Sequence, residues 1–473
     1  MNNDMNSDLE LFTRLAKEVL SQEKENPVTK NISPNNLLNK LDIQLEKNGI
    51  NEKQLSSILK EILKATPKTS SRLFFNQLFG GRHSKAVLGD LLSIILNNTM
   101  ATYKVAGPQA AIEKEIINKV ASIIEYESDF GGTFPTGGSM SNFMSLIMAR
   151  DKKEPKIRRE GVNTKLTLYT SENAHYSISK NTAFSGIGKE NIRYIKSNLK
   201  GEMSVGDLKN QIQKDILQGF TPFYINATSG TTVLGAFDAI DKIAEVSKKY
   251  NIWLHVDGSY SGTAIFSKKY KELLKGVSLS DSFCFNAHKT LGTPLSCSVL
   301  VVKNKKYLYN SFDNDATYLY QTHHDLDDFN LGKTSFECGR KNNALKFWVL
   351  WKSIGTHGIS KIVEKGYDLS NFAQSYIEKN KDYKVYSYPN TLSVCFNYKN
   401  YDPVDLCTKL YETNTLMVGY GSFKKNTFVR LVVVNTNNNI RALRQFFSIL
   451  EKFAKNNSAK LKKVTCLKNK KTY

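Results

Sequence analysis

At 473 residues, with 40% hydrophobic content, 25 Phe and 23 Tyr, the chain can bury the core of a large globular domain with appendages. It has no run of about 18 apolar residues of the kind that crosses a membrane, no basic start and apolar stretch of a signal peptide, and six cysteines without CxxC spacing, so a soluble cytoplasmic protein with reduced thiols, no metal site and no membrane partner is expected. A formal charge of +22 raises nucleic-acid binding, but the lysines are dispersed, the one dense cluster is the tail at 460–471, and no aromatic-basic alternation accompanies it, which argues against that class.

Residues 1–65 read as amphipathic helix, with Leu9, Phe12, Leu15 and Leu20 on one side and Leu55, Ile58, Leu59 and Ile62 resuming the stripe after a break around Pro34. That stripe must be buried somewhere, and a partner subunit is one place. Helices at 88–96 and 112–124 follow. From about residue 125 the pattern changes to short apolar runs at 166–169, 192–195, 223–227, 252–257, 283–285 and 298–302, separated by helical stretches such as 205–217 and 239–250. This alternation predicts an α/β fold with a mostly parallel sheet covered on both faces. The polar, aromatic-rich stretch 310–333 reads as an irregular insertion, either disordered or a working lid. A helix over 344–354 then leads, past a boundary near residue 360, into a smaller α+β part with strands at 392–397 and 427–434.

Two strand ends carry the chemistry. In SFCFNAHKTLG (282–292) a short buried strand ends in a polar corner holding Asn286, His288 and Lys289. A lysine held there can be desolvated toward the neutral form that attacks a carbonyl, although by itself it also reads as a solvated loop lysine. In NIWLHVDGSYSG (251–262) an apolar strand ends in Asp257. A buried carboxylate needs a cationic partner, and a pyridinium nitrogen is one. Asp257 and Lys289 are therefore the pair that a pyridoxal phosphate enzyme needs, while a capping aspartate remains open. TGGSMSN (136–142) offers helix N-terminal N–H groups to a phosphate, or is a plain cap around Ser139. His175 could stack on a cofactor ring, move a proton or simply pack, and Thr228 falls at the same sheet edge.

Taken in order, TGGSMSN, AHYSISK, NATSGTTVLGAFD, HVDGSYSG and NAHK resemble the group II pyridoxal phosphate amino-acid decarboxylases of the aspartate aminotransferase fold. RLFFNQLFGG (72–81) and SFECGRKNN (335–343) are similar to the branch of glutamate, cysteine sulfinate and aspartate decarboxylases, and FVRLVVVN extends the likeness more faintly to residue 434. The resemblance implies fold type I with a seven-stranded, mostly parallel sheet. It implies a dimer-forming helical segment over 1–100, a cofactor domain over 101–360 and a small α+β domain over 361–473.

The resemblance also implies roles. Lys289 would carry pyridoxal 5'-phosphate as a Schiff base, Asp257 would pair with its ring nitrogen and His175 would stack on the ring. Gly138, Ser139 and His288 would hold the phosphate, with Thr228, Ser259 and Asn286 lining the site. Arg340 matches the arginine for the acidic substrate, Gln77 the glutamine beside it, and Tyr318 a mobile-loop tyrosine that donates a proton after carbon dioxide leaves. That tyrosine would serve the other subunit of a homodimer. Phe79 stands where members with shorter substrates carry phenylalanine, which favours aspartate or cysteine sulfinate, giving β-alanine or hypotaurine. Thr99 and Ala101 depart from both groups, Ala101 replacing an aromatic residue and restoring room. Glutamate decarboxylation to GABA is the alternative. Another reaction on a non-acidic amino acid comes next, with Arg340 arguing against it, and nucleic-acid binding is last.

Overall fold

A computed structural model of the chain describes residues 5–24, 27–314, 316, 318–320 and 328–464. The basic tail from residue 465, with Cys466, and residues 315, 317 and 321–327 of the expected insertion lie outside them. The chain divides into two compact units, one of Met1–Gly81, Phe372–Tyr386 and Cys395–Tyr473, the other of Arg82–Asn371 and Ser387–Val394.

In chain order the strands are Phe74–Phe75 (β1), Gly131–Thr133 (β2), Leu166–Ser171 (β3), Ile192–Ile195 (β4), Thr221–Thr228 (β5), Trp253–Gly258 (β6), Ser282–Asn286 (β7), Ser298–Val302 (β8), Tyr383–Val385 (β9), Ser393–Tyr398 (β10), Met417–Phe423 (β11) and Asn426–Val432 (β12). The larger unit is built on a seven-stranded sheet ordered β2-β8-β7-β6-β5-β3-β4. From β4 to β7 every neighbour is parallel, and β8 pairs antiparallel with both β7 and β2. Strands β3, β6, β7 and β8 are buried at every position, which is why they read as unbroken apolar runs rather than as alternation. The six runs expected as strands are β3 to β8, each matched to within two residues. No apolar run announces β2, because two of its three residues are glycine. They are needed there: a Cβ on Gly132 would sit 2.7 Å from Ile117 Cδ1.

Three helices fix the sheet's working edge. Gly138–Lys153 packs on β5 to β8, while Val205–Leu217 packs on β4 and β5 and Ile240–Tyr250 on β5 and β6. Ser204 caps the second of these by accepting from Asp207 N at 3.2 Å, and Leu208 and Ile212 bury one face of it. Its Asp215 is buried against the sheet, taking Arg193 Nε of β4 at 2.8 Å and the Tyr169 hydroxyl of β3 at 2.9 Å. The helix expected over 344–354 stops at Gly355, whose φ of +67° interrupts Ala344–Glu378.

The smaller unit carries a five-stranded sheet ordered β1-β11-β12-β10-β9, with helices Pro403–Glu412 and Ile440–Asn456. Its amphipathic helices Met5–Gln22 and Glu52–Ala65 pack on each other. Among the described residues no helix is long and apolar enough to cross a membrane.

Asp215→Ala leaves a largely buried guanidinium without its carboxylate, so a loss of about 3 kcal/mol is expected, read as a lower denaturant midpoint. An unchanged midpoint would show that this helix-to-sheet tie is dispensable.

Candidate active site

Adjacent parallel strands end together. In β5, β6 and β7 the register sets Thr228 beside Asp257 and Asp257 beside Cys284, so the carboxyl ends of three strands form one ledge. The turn after β7 is a short helical segment, Ala287–Thr290, that carries His288 and Lys289 over this ledge. The N-terminus of Gly138–Lys153 reaches the same place. A Cβ on Gly138 would lie 2.9 Å from Ser259 Cβ and 3.1 Å from Asn286 Nδ2, so only glycine permits the approach. The nine positions expected around a cofactor, from Gly138 and Ser139 through His175 and Thr228 to Lys289, all line one cavity of about 230 Å³.

The cavity sets its charges against each other. Burial pushes the Lys289 ammonium below its ordinary range, with the Asp257 charge opposing. Burial alone would raise the Asp257 carboxyl, but the Ser259 N–H at 3.0 Å, the electrostatic influence of His255, the Asn142 amide at 2.8 Å and the charge of Lys289 together hold it below the usual carboxylate range. His175 is pushed down by burial. His288 is pushed down to about 4 by burial and by Lys289, and its Nδ1 accepts from Cys297 N at 2.9 Å. Thr228 is anchored through its N–H to Asp238 Oδ2 at 2.7 Å, yet its Oγ1 is buried with no hydrogen-bond partner among the described residues. A lysine, a charged carboxylate, a neutral histidine, a helix start and an unpartnered hydroxyl suit a group with an aldehyde, a ring nitrogen and a phosphate.

Other expected positions lie elsewhere. Tyr318 is exposed and does not line the cavity. Thr99 donates to Cys338 O at 3.1 Å, and Ala101 is fully buried; neither lines the cavity. Arg340 is buried in an ion pair, its Nη1 at 2.8 and 3.0 Å from the two Glu113 oxygens and 3.3 Å from Thr133 Oγ1. Only Nη1 is engaged; Nε and Nη2 are buried with no hydrogen-bond partner among the described residues. Gln77 and Phe79 belong to the smaller unit, where the Phe79 ring lies 6.4 Å from that of Phe74. In the same unit Arg430 donates Nη2 to Asn76 O, next to Gln77, at 3.2 Å.

Sequence reasoning passed over Asn142 and His255. Asn142 donates to Asp257, and His255 Nε2 lies 3.1 Å from Asn142 Oδ1. The signal was present: His255 precedes Asp257 by two strand positions and so shares its face, and Asn142 follows Gly138 by one helical turn.

A parallel-sheet edge that presents a lysine and a charged carboxylate to one cavity defines a fold type I enzyme that works with pyridoxal phosphate. The pyridoxal-dependent decarboxylase conserved domain matches residues 34–399. An acidic amino acid decarboxylase of Xenopus tropicalis is 36% identical over 369 residues, covering 77% of this chain and 72% of that one. Human cysteine sulfinic acid decarboxylase is 31% identical over 426 residues, covering 85% and 86%. The crystal structure of mouse CSAD superposes with a TM-score of 0.90 at 29% identity, over 95% of this chain and 99% of that one. The chain belongs to the pyridoxal-dependent decarboxylase family, and its cofactor is pyridoxal phosphate.

Folded His255 and His288 both titrate near 4 against an ordinary 6.5, so between those values the unfolded chain binds more protons. Stability of the apoprotein is therefore lost as pH falls through that window. His288→Gln makes the fall shallower by up to about 3 kcal/mol, measured by denaturant unfolding at stepped pH; an unaltered slope would contradict a neutral, buried His288. Arg340→Ala leaves Glu113 buried without its cation and costs about 3–5 kcal/mol. A thermal melt at the wild-type temperature would show that the pair carries no such weight.

Proposed function

We propose that this enzyme removes the α-carboxylate of an acidic L-amino acid as carbon dioxide, with aspartate or cysteine sulfinate favoured and glutamate, giving GABA, as the alternative. The observation that carries the reading is the pairing, across one cavity, of a lysine lowered by burial with a carboxylate kept charged by its donors. The names borne by the Xenopus and human relatives support the acidic substrate class. When bound, the cofactor supplies the ring into which the electrons of the broken bond flow. Lys289 holds the cofactor aldehyde, and Asp257 holds the ring nitrogen in its protonated form. His175 covers the ring. Gly138, Ser139 and His288 take the phosphate, with a neutral His288 donating rather than adding charge, and Thr228, Ser259 and Asn286 complete the lining.

The acid of the substrate needs a cation. Arg340 is the arginine that the resemblance supplies: Glu113 meets one end of its guanidinium, while its Nε and Nη2 are buried with no hydrogen-bond partner among the described residues. By the resemblance Phe79 limits substrate length; Thr99 and Ala101, which the same likeness sets beside the substrate, lie outside this subunit's own cavity.

The assembly we propose is a homodimer. Leu88, Leu92, Ile95 and Leu96 leave an uncovered apolar face on the helix Ser84–Leu96. Tyr318, outside its own subunit's cavity, is then free to serve the neighbour's as proton donor. Thiols outside any disulfide at Cys284, Cys297, Cys338 and Cys407 suit a reducing cytosol.

Purified protein should absorb in the visible, and Lys289→Ala should lose that band together with carbon dioxide release. Aspartate, cysteine sulfinate and glutamate assayed side by side decide the substrate. Activity restricted to aromatic or basic amino acids would overturn the acidic assignment.

A further inference from the structure

Behind the cavity, Asn142, Ser177, Trp253, His255 and Ser282 are all buried, and they form one connected set of hydrogen bonds. Two of its ends act in one direction only. The Trp253 indole N–H donates to Ser282 Oγ at 2.9 Å, and an indole nitrogen can only donate. The Asp257 carboxylate can only accept, and its Oδ2 lies 2.8 Å from Asn142 Nδ2. Every hydrogen between them is then fixed.

Asn142 must turn its amide nitrogen to Asp257, which leaves Oδ1 to accept from His255 Nε2 at 3.1 Å. Burial pushes His255 down to about 4, so the ring is neutral. With its hydrogen on Nε2, its bare Nδ1 accepts from the Ser282 hydroxyl at 2.8 Å. The second hydrogen of Asn142 Nδ2 goes to Ser177 Oγ at 3.1 Å. That hydroxyl in turn donates to His175 Nδ1 at 2.9 Å, where the Ser177 backbone N–H also arrives at 3.2 Å. His175 therefore carries its hydrogen on Nε2.

We propose that Asn142 is a positioning residue that couples Asp257 to His175, with Trp253, Ser282 and His255 fixing the orientation of its amide. A reversed amide would set its carbonyl oxygen against the Asp257 carboxylate, lone pair against lone pair, and would remove the donor that keeps the acid charged. Through Ser177 the same amide supports the backbone N–H in keeping His175 Nδ1 bare. The inference rests on the assignment of Asp257 and His175 to the cofactor ring, but the hydrogen-bond chain belongs to the protein alone and can be read without cofactor.

The test begins with apoprotein labelled with 15N-histidine. At neutral pH, His255 and His175 should each show a protonated Nε2 and a bare Nδ1. In Asn142→Leu the Ser177 backbone N–H still meets His175 Nδ1, so His175 should keep its Nε2 hydrogen while its nitrogen signals shift with the altered Ser177 hydroxyl. In the cofactor-loaded variant the pH midpoint of the visible band should shift, and kcat should fall about 10- to 100-fold, the scale for outer partners of a site, with KM little changed. His255→Gln, which keeps an N–H toward Asn142, should be affected less than His255→Leu. A His255 hydrogen on Nδ1, a cationic His255, or unchanged His175 signals and an unchanged band in Asn142→Leu would overturn the proposal. If Asn142→Leu does not fold, the wild-type nitrogen signals and the two His255 variants still decide. A loaded protein with no visible band at all would instead condemn the cofactor assignment, leaving the nitrogen signals to judge the chain by themselves.

Discussion

One negative charge, held at the end of a buried strand, organises the larger unit. An ionised carboxylate withdrawn from water costs several kcal/mol unless donors replace its hydration, and Asp257 obtains them from three directions. The backbone after β6 gives the Ser259 N–H, the helix Gly138–Lys153 gives Asn142, and the turn after β7 brings the charge of Lys289. Each donor constrains the chain that supplies it. The helix must begin at the ledge, so position 138 must lack a side chain. The chain must turn directly after β7, so the four-residue helical segment Ala287–Thr290 begins at the very next position.

How far this could be read beforehand follows from where the information sits in the chain. Buried parallel strands announce themselves through continuous apolar runs, which is why β3 to β8 were legible to within two residues. Strands built on glycine do not. β2 has two glycines in three residues, and β11 carries Gly419 and Gly421; neither shows apolar periodicity, because glycine serves close approach rather than burial. The residues lining the cofactor cavity were legible because they follow strand ends one after another, so the motif order already encodes their spatial order.

Pairings across long sequence distances were not legible. Arg340 and Glu113 are 227 positions apart, and nothing local to SFECGRKNN discloses that its arginine meets a buried carboxylate. A motif match carries an arginine's presence; whether its charge is available depends on what packs against it. Asn142 is an intermediate case, since it stood in a recognised motif but was passed over in favour of the glycine and serine before it. Helical spacing from Gly138 places it at the ledge, and strand spacing puts His255 on the face of Asp257. Counting both periods toward one point would have found the pair.

The two charged groups of the cavity also show why burial by itself does not set a protonation state. Lys289 and Asp257 line the same enclosure, and burial disfavours the charged form of each. Their outcomes differ because the carboxylate is met by directed donors, whereas the lowering of Lys289 is opposed chiefly by the charge of Asp257 and less by Cys284. Any change that removes a donor from Asp257 therefore acts on both groups. The carboxyl rises toward its neutral form, and the lysine loses the larger of the charges that favour its ammonium. Nucleophile and anion are in this way set by a single arrangement of hydrogen bonds, and the fully buried side of that arrangement, away from any substrate, is where its direction is fixed.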